Sequence, residues 1–180
     1  MSNTAKQSSA KSTTARKPAA RRAAARKPDA IDLLTADHKE VKKLFKAYDK
    51  LVESEAEAAE KQEIAVQICA MLTAHATAEE EIFYPAAREI LEEDEDLVDE
   101  ATVEHASAKD LIAQIEAGTP DDPLFDAKVK VLGEYIDHHV KEEEGEMFPK
   151  VRKSDLDLDA LGEDIAARKA ELLDKADEPH

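Results

Sequence analysis

HATAEEEIFYP, residues 75–85, and HVKEEEGEMFP, residues 139–149, align without a gap. His75 falls on His139, Glu79 on Glu143, Tyr84 on Phe148 and Pro85 on Pro149. Another histidine precedes each copy at a similar distance: His38 stands 37 residues before His75, and His105 stands 34 before His139. The chain reads as a helix pair used twice, each copy giving one His and one His-x-x-x-Glu. Residues four apart share a helix face, so each carboxylate turns the same way as its histidine.

Outward from these segments, apolar residues recur at helical spacing. Leu34, Val41, Leu44, Tyr48 and Leu51 mark a first helix over about 30–53. A longer one covers about 57–91, where Pro85 kinks it or ends its regular run. Two more cover about 95–117, stopping at Gly118-Thr119-Pro120, and about 123–148, ahead of Pro149. A last segment, about 156–174, carries Leu158, Leu161, Ile165 and Leu172. The pattern predicts an all-α protein: an antiparallel up-down four-helix bundle over 31–152, then a C-terminal helix and tail over 153–180. Composition agrees, with aromatics at 4%, only 4 glycines and a dominance of helix formers, which argues against sheets and barrels.

Charge divides the chain elsewhere. Residues 1–30 hold eight Lys and Arg against Asp29 alone, a net +7, which leaves −24 on the remainder of a chain whose total is −17. After Met1 this segment has no large aliphatic or aromatic residue to bury, and it is expected to be a disordered basic tail. Such an arm fits nucleic acid or another polyanion; a solvated tail and an organelle transit peptide are the other readings. Lone Cys69 excludes an internal disulfide and a Cys-based zinc or iron–sulfur site. No apolar run reaches membrane-spanning length, so the expectation is a cytoplasmic protein with no membrane partner.

His38, His75, His105 and His139 each continue an apolar stripe, one per bundle helix. One histidine on such a face is commonly a hydrogen-bonded core residue, but four in one dry core leave nitrogens without partners, and four charged ones repel. The runs Glu79–Glu81 and Glu142–Glu144 read as solvated faces except at Glu79 and Glu143, whose stripe Ile82, Phe83 and Met147 continue. Asp37 reads as an exposed residue beside the first stripe. Burying Glu79 and Glu143 costs several kcal/mol each, of order, unless a cation compensates them. Imidazole with carboxylate and no thiolate suits Fe, Mn, Zn or Co, and is too rich in nitrogen for Ca or Mg. Six ligands in two sets favour a dinuclear site with bridging carboxylates and open positions, iron leading, over a closed structural zinc.

DHKEV around His38, HATAEEEIFYP, the Glu104-His105 pair and DHHVKEEEGEMFP together resemble the hemerythrin-like domain, the HHE cation-binding proteins, over about residues 30–150. The resemblance implies a four-helix bundle holding an oxo- or hydroxo-bridged di-iron centre that reacts with O2 or a related small molecule. It makes His38, His75, His105 and His139 terminal imidazoles, with Glu79 and Glu143 as bridging carboxylates. Two departures bear on role. The oxygen carriers have a second histidine four residues away on the third helix, where this chain has Ala101 and Lys109. Their last carboxylate follows its histidine by five, a place held here by Glu144, and His138 is the alternative source of the missing imidazole. The expected function is a non-haem di-iron protein that binds or senses O2, peroxide or NO, or buffers iron. A peroxide- or NO-consuming enzyme and a nucleic-acid-associated protein docked by its tail stay open.

Overall fold

The computed structural model describes Met1 and residues 26–176; the expected disorder of the basic tail falls, for residues 2–25, outside the described residues. Helix α1 (Ala30–Glu53) starts at a capping box. The Asp29 side chain accepts from the Asp32 N–H while the Asp32 side chain accepts from the Asp29 N–H, satisfying two donors a helix start otherwise orphans. Its buried stripe, Ile31, Leu34, His38, Val41 and Tyr48, follows the spacing seen in the sequence. A turn at 54–57, with Glu55 at φ 52°, reverses the chain into α2 (Ala58–Ala78).

The regular helices expected over 57–91 and 123–148 are each interrupted at the repeated motif. A π turn, Glu79–Phe83, follows α2 and leads into α3 (Tyr84–Ile90). After α4 (Glu95–Glu116), α5 (Phe125–Glu142) passes through a second π turn, Glu143–Met147, into α6 (Phe148–Val151). The Tyr84 N–H bonds the Glu79 carbonyl and the Phe148 N–H bonds the Glu143 carbonyl, five residues back in both copies. Proline explains the position. Pro85 and Pro149 lack an N–H and crowd the carbonyl four residues earlier, and a wider turn just before them relieves that clash without ending the rod. The expected proline kink is therefore a π turn, and it falls on the two carboxylates of the motif.

Contacts run from α1 to α2, α2 to α4, α4 to α5 and α5 back to α1, closing the bundle. Its core is in two parts. One holds Leu34, Phe83, Val98, Met147, Phe148 and Ile165; the other holds Val41, Ile68, Leu72, Ile112, Leu132 and Ile136. Each large apolar side chain so buried contributes about 1.5–3 kcal/mol. Between the two parts lies the layer of four histidines. The last helix, α7 (Leu158–Ala176), packs along α1 and α2 and buries Ile165 completely. At its near end Arg26 pairs with Asp29 and Asp32, and Lys27 with Glu163, so residues 26–30, counted with the tail in the sequence, hold α1 and α7 together.

The α1–α7 contact is close at Gly162, where a Cβ would stand 2.8 Å from the Ala30 nitrogen and 3.0 Å from the Asp29 carbonyl carbon, backbone atoms that cannot rotate away. Gly162→Ala is expected to cost about 1–3 kcal/mol in a denaturant titration. Gly145→Ala, with nothing within 4 Å of its Cβ, should be neutral or stabilising by up to about 1 kcal/mol.

Candidate metal centre

Six side chains converge in the layer between the two core parts. His38, His75, His105 and His139 are at most 5% exposed, Glu79 is 0% and Glu143 1%. Each helix rod supplies its share because the apolar stripe that faces the bundle axis carries the histidine with it. His38 Nε2 lies 3.2 Å from His75 Nε2, and His105 Nε2 lies 3.1 Å from His139 Nε2. The carboxylates reach across the halves. Glu79 Oε2 is 3.1 Å from His75 Nε2 and 3.4 Å from His105 Nε2; Glu143 Oε2 is 3.3 Å from His139 Nε2 and 3.4 Å from His38 Nε2. Two overlapping groups that could hold a metal ion result: His38, His75, Glu79 and Glu143, and Glu79, His105 and His139.

The outward nitrogen of every ring meets a carboxylate. His75 Nδ1 stands 3.0 Å from Asp37, His139 Nδ1 2.8 Å from Glu104, His38 Nδ1 2.9 Å from Glu144 and His105 Nδ1 3.1 Å from Glu80. Ionised carboxylates only accept, so each Nδ1–H donates and each Nε2 lone pair is turned to the centre. The sequence reading missed these four partners. Asp37, expected to be exposed, has a side chain only 13% exposed because α7 covers it and Lys169 pairs with it. Glu80, expected to be solvated, is half-buried with Lys109 on it at 2.6 Å, while Glu144 stays exposed and reaches His38 with one oxygen. A signal did exist: in both halves the partners are the residue just before the first histidine and the residue just after the inner glutamate. Glu144 thus faces an outer nitrogen, and His138, with a side chain 59% exposed, points away from the layer.

Tyr84 breaks the symmetry. Its hydroxyl donates to Glu143 Oε1 at 2.9 Å and lies 3.2 Å from His105 Nε2. Its counterpart Phe148 instead stacks on the His38 ring, centroids 5.8 Å apart.

The donor set fits a cation. Both oxygens of Glu79 and Oε2 of Glu143 are buried without a hydrogen bond. Around them imidazole lone pairs face one another and carboxylate oxygens at 3.1–3.4 Å, an arrangement that repels unless a positive charge lies between. The ligand types, imidazole and carboxylate, belong to the first-row transition ions.

The Hemerythrin HHE cation binding domain family model matches residues 29–151. A DNA nickase of Nostoc sp. (strain PCC 7120) is 33% identical over 123 residues, 68% of this chain and 33% of that protein. The chain therefore spans about a third of the length of this curated relative. A Mycobacterium kansasii hemerythrin HHE cation binding domain-containing protein superposes with a TM-score of 0.66 at 24% identity, over 82% of this chain and 88% of that one, a likeness of fold.

Without a cation, protons take its place. Burial disfavours charge on His75, but Glu79 and Asp37 outweigh it and raise its pKa to about 10. Burial likewise opposes charge on His139, and Glu143 and Glu104 raise it to about 11. Burial and the neighbouring His139 charge push His105 down to about 3. A raised folded-state pKa gives stability fully present below the ordinary histidine value and lost as pH rises through the folded one. Chelator-treated protein should therefore lose thermal stability progressively from about pH 6.5 up to about pH 10 to 11, the range in which folded His75 and His139 hold protons that the unfolded chain has released. Differential scanning calorimetry of the metal-free protein beside its His75→Gln/His139→Gln variant checks this: the variant should show a markedly smaller drop.

Proposed function

The chain belongs to the hemerythrin HHE cation-binding domain family, and from that premise we propose that its histidine layer is a dinuclear iron centre that binds or senses a small diatomic molecule, O2 or NO. In this reading His38 and His75 would hold one ion and His105 and His139 the other, with Glu79 and Glu143 as carboxylates available to both. Iron in such a site supplies coupled redox positions with coordination places that six protein ligands leave open.

The observation that carries the reading is a narrow cavity of about 20 Å³ against the four imidazoles. Val41, Leu72, Ala108, Ile112, Ile136 and Val140 contribute its apolar wall. The volume suits one water-sized guest, and the wall favours a weakly solvated diatomic over peroxide, which would lose hydrogen bonds on entering. Around the cavity the chain fixes orientation and charge. Asp37, Glu80, Glu104 and Glu144 hold all four rings in one tautomer and raise their basicity toward the centre. The Tyr84 hydroxyl places a proton donor on one side only, against Glu143.

A second reading, association with DNA, is supported by the eight basic residues of the first thirty and by the similarity to the Nostoc DNA nickase. It predicts salt-dependent DNA binding that weakens when Arg16, Lys17, Arg21 and Arg22 are changed to alanine.

Metal analysis and optical spectra of protein purified without added metal test the main proposal. A pair of irons per chain with near-ultraviolet oxo-bridge absorption is expected. His75→Ala and His139→Ala should each lose metal and melt earlier, since bound metal stabilises the folded state by mass action, while terminal His180→Ala should retain both properties. Glu143→Gln should lose far more metal than Glu144→Gln; the reverse ranking would move the bridge to Glu144. The missing third-helix histidine and the carboxylate-rich ligand field favour Fe(III). Reduced protein mixed with O2 in a stopped-flow spectrometer should therefore go over to the diferric state and not return when O2 is removed.

A further inference from the structure

Asp37 and Glu104 are equivalent: each precedes the first histidine of its half and holds Nδ1 of the second. Their surroundings are not. On the first half α7 packs over α1 and α2 and sets the Lys169 ammonium on Asp37, while Ala74 and Ala78 are buried. In the register of the repeat those alanines correspond to His138 and Glu142. Among the described residues no helix covers them, and no Lys or Arg pairs with Glu104 or Glu142. Among the described residues the positive charge that balances the outer carboxylate of the first half thus has no counterpart in the second.

Metal-binding side chains stand in its place. His138 Nε2 lies 3.2 Å from Glu142 Oε1 and 3.5 Å from Glu104 Oε1, and one donor atom from each residue falls within 4.8 Å of the others. Glu104 serves both sides, because its second oxygen is the one on His139 Nδ1. Behind the trio a narrow cleft, lined by Glu104 and Glu142 at its mouth, reaches His139 and Glu143. The Glu143 carboxylate that it reaches keeps Oε2 buried and without a hydrogen-bond partner. Glu104 and Glu142 of the trio thus also line a cleft that runs to the buried centre.

We propose that Glu104, His138 and Glu142 form a surface site for a hydrated divalent first-row cation, Fe2+ or Mn2+, from which the buried centre is loaded. One imidazole and two carboxylates suit such an ion and leave places for the waters it must shed one by one along the cleft. The loading role rests on reading the histidine layer as a metal centre; the surface site itself does not.

The test uses the full chain with its buried centre already filled with iron, titrated with Mn2+ at about pH 8, since a metal competes with protons for its ligands. Free Mn2+ is followed by electron paramagnetic resonance. One further ion per chain should bind, and His138→Ala or Glu142→Gln should weaken it about tenfold or more, the cost that even outer-shell substitutions carry. Metal-free protein given Fe2+ should fill more slowly in either variant and reach the same iron content as the unaltered chain. Absence of the extra Mn2+, or equal affinity in all three proteins, overturns the surface site, and equal filling rates overturn its loading role. A protein that never retains iron in the histidine layer while still binding Mn2+ through His138 would instead overturn the di-iron reading and the loading role together, leaving the surface site established.

Discussion

Imidazole lone pairs cannot face one another across a dry core unless a cation or a proton lies between them. Four carboxylates on the outer nitrogens force that situation here, because each accepts a hydrogen bond from Nδ1–H and so leaves the Nε2 lone pair aimed inward. The same constraint explains why the apolar core is split in two, with Leu34 and Phe83 on one side of the histidine layer and Leu72 and Ile136 on the other. Removing the compensating charge leaves six converging groups that the packing does not allow to separate, and the free protein answers by holding protons on His75 and His139 well above their ordinary range.

The two halves meet this constraint with the same parts. A π turn at each inner glutamate accommodates a following proline, and a carboxylate just before the first histidine and another just after the glutamate hold the rings. What differs is decoration: Tyr84 brings a hydroxyl where Phe148 brings only a ring, and Lys169 covers one outer carboxylate while its counterpart faces the surface. A centre built by repetition is in this way made inequivalent at its two ends, by residues that touch the ring partners rather than by the converging six.

The bundle, its helix order and the convergence of His38, His75, Glu79, His105, His139 and Glu143 were legible in the sequence, because helical period converts spacing directly into a shared face. That Glu143 turns toward the centre and Glu144 does not was half legible. Both follow His139 on one helix, and only the repeat, set against Glu79, favoured the former. The π turns were not legible, since a proline after an apolar run signals a break without saying how the backbone absorbs it.

By itself, then, the sequence determined which face of each helix looks inward, and with it the family, the fold and the six converging groups. The tertiary structure alone decided what lies behind them. Asp37 and Glu80 sit at positions that periodicity assigns to solvent, and they became partners of His75 and His105 because a neighbouring helix presents its ring there. Lys169 reached Asp37 from 132 residues away, brought by a helix whose place on α1 and α2 depends on close packing at Gly162. Spacing along one helix fixes direction about that helix's own axis, whereas a hydrogen bond between helices depends on how their axes are set against each other, and only the packed core sets that.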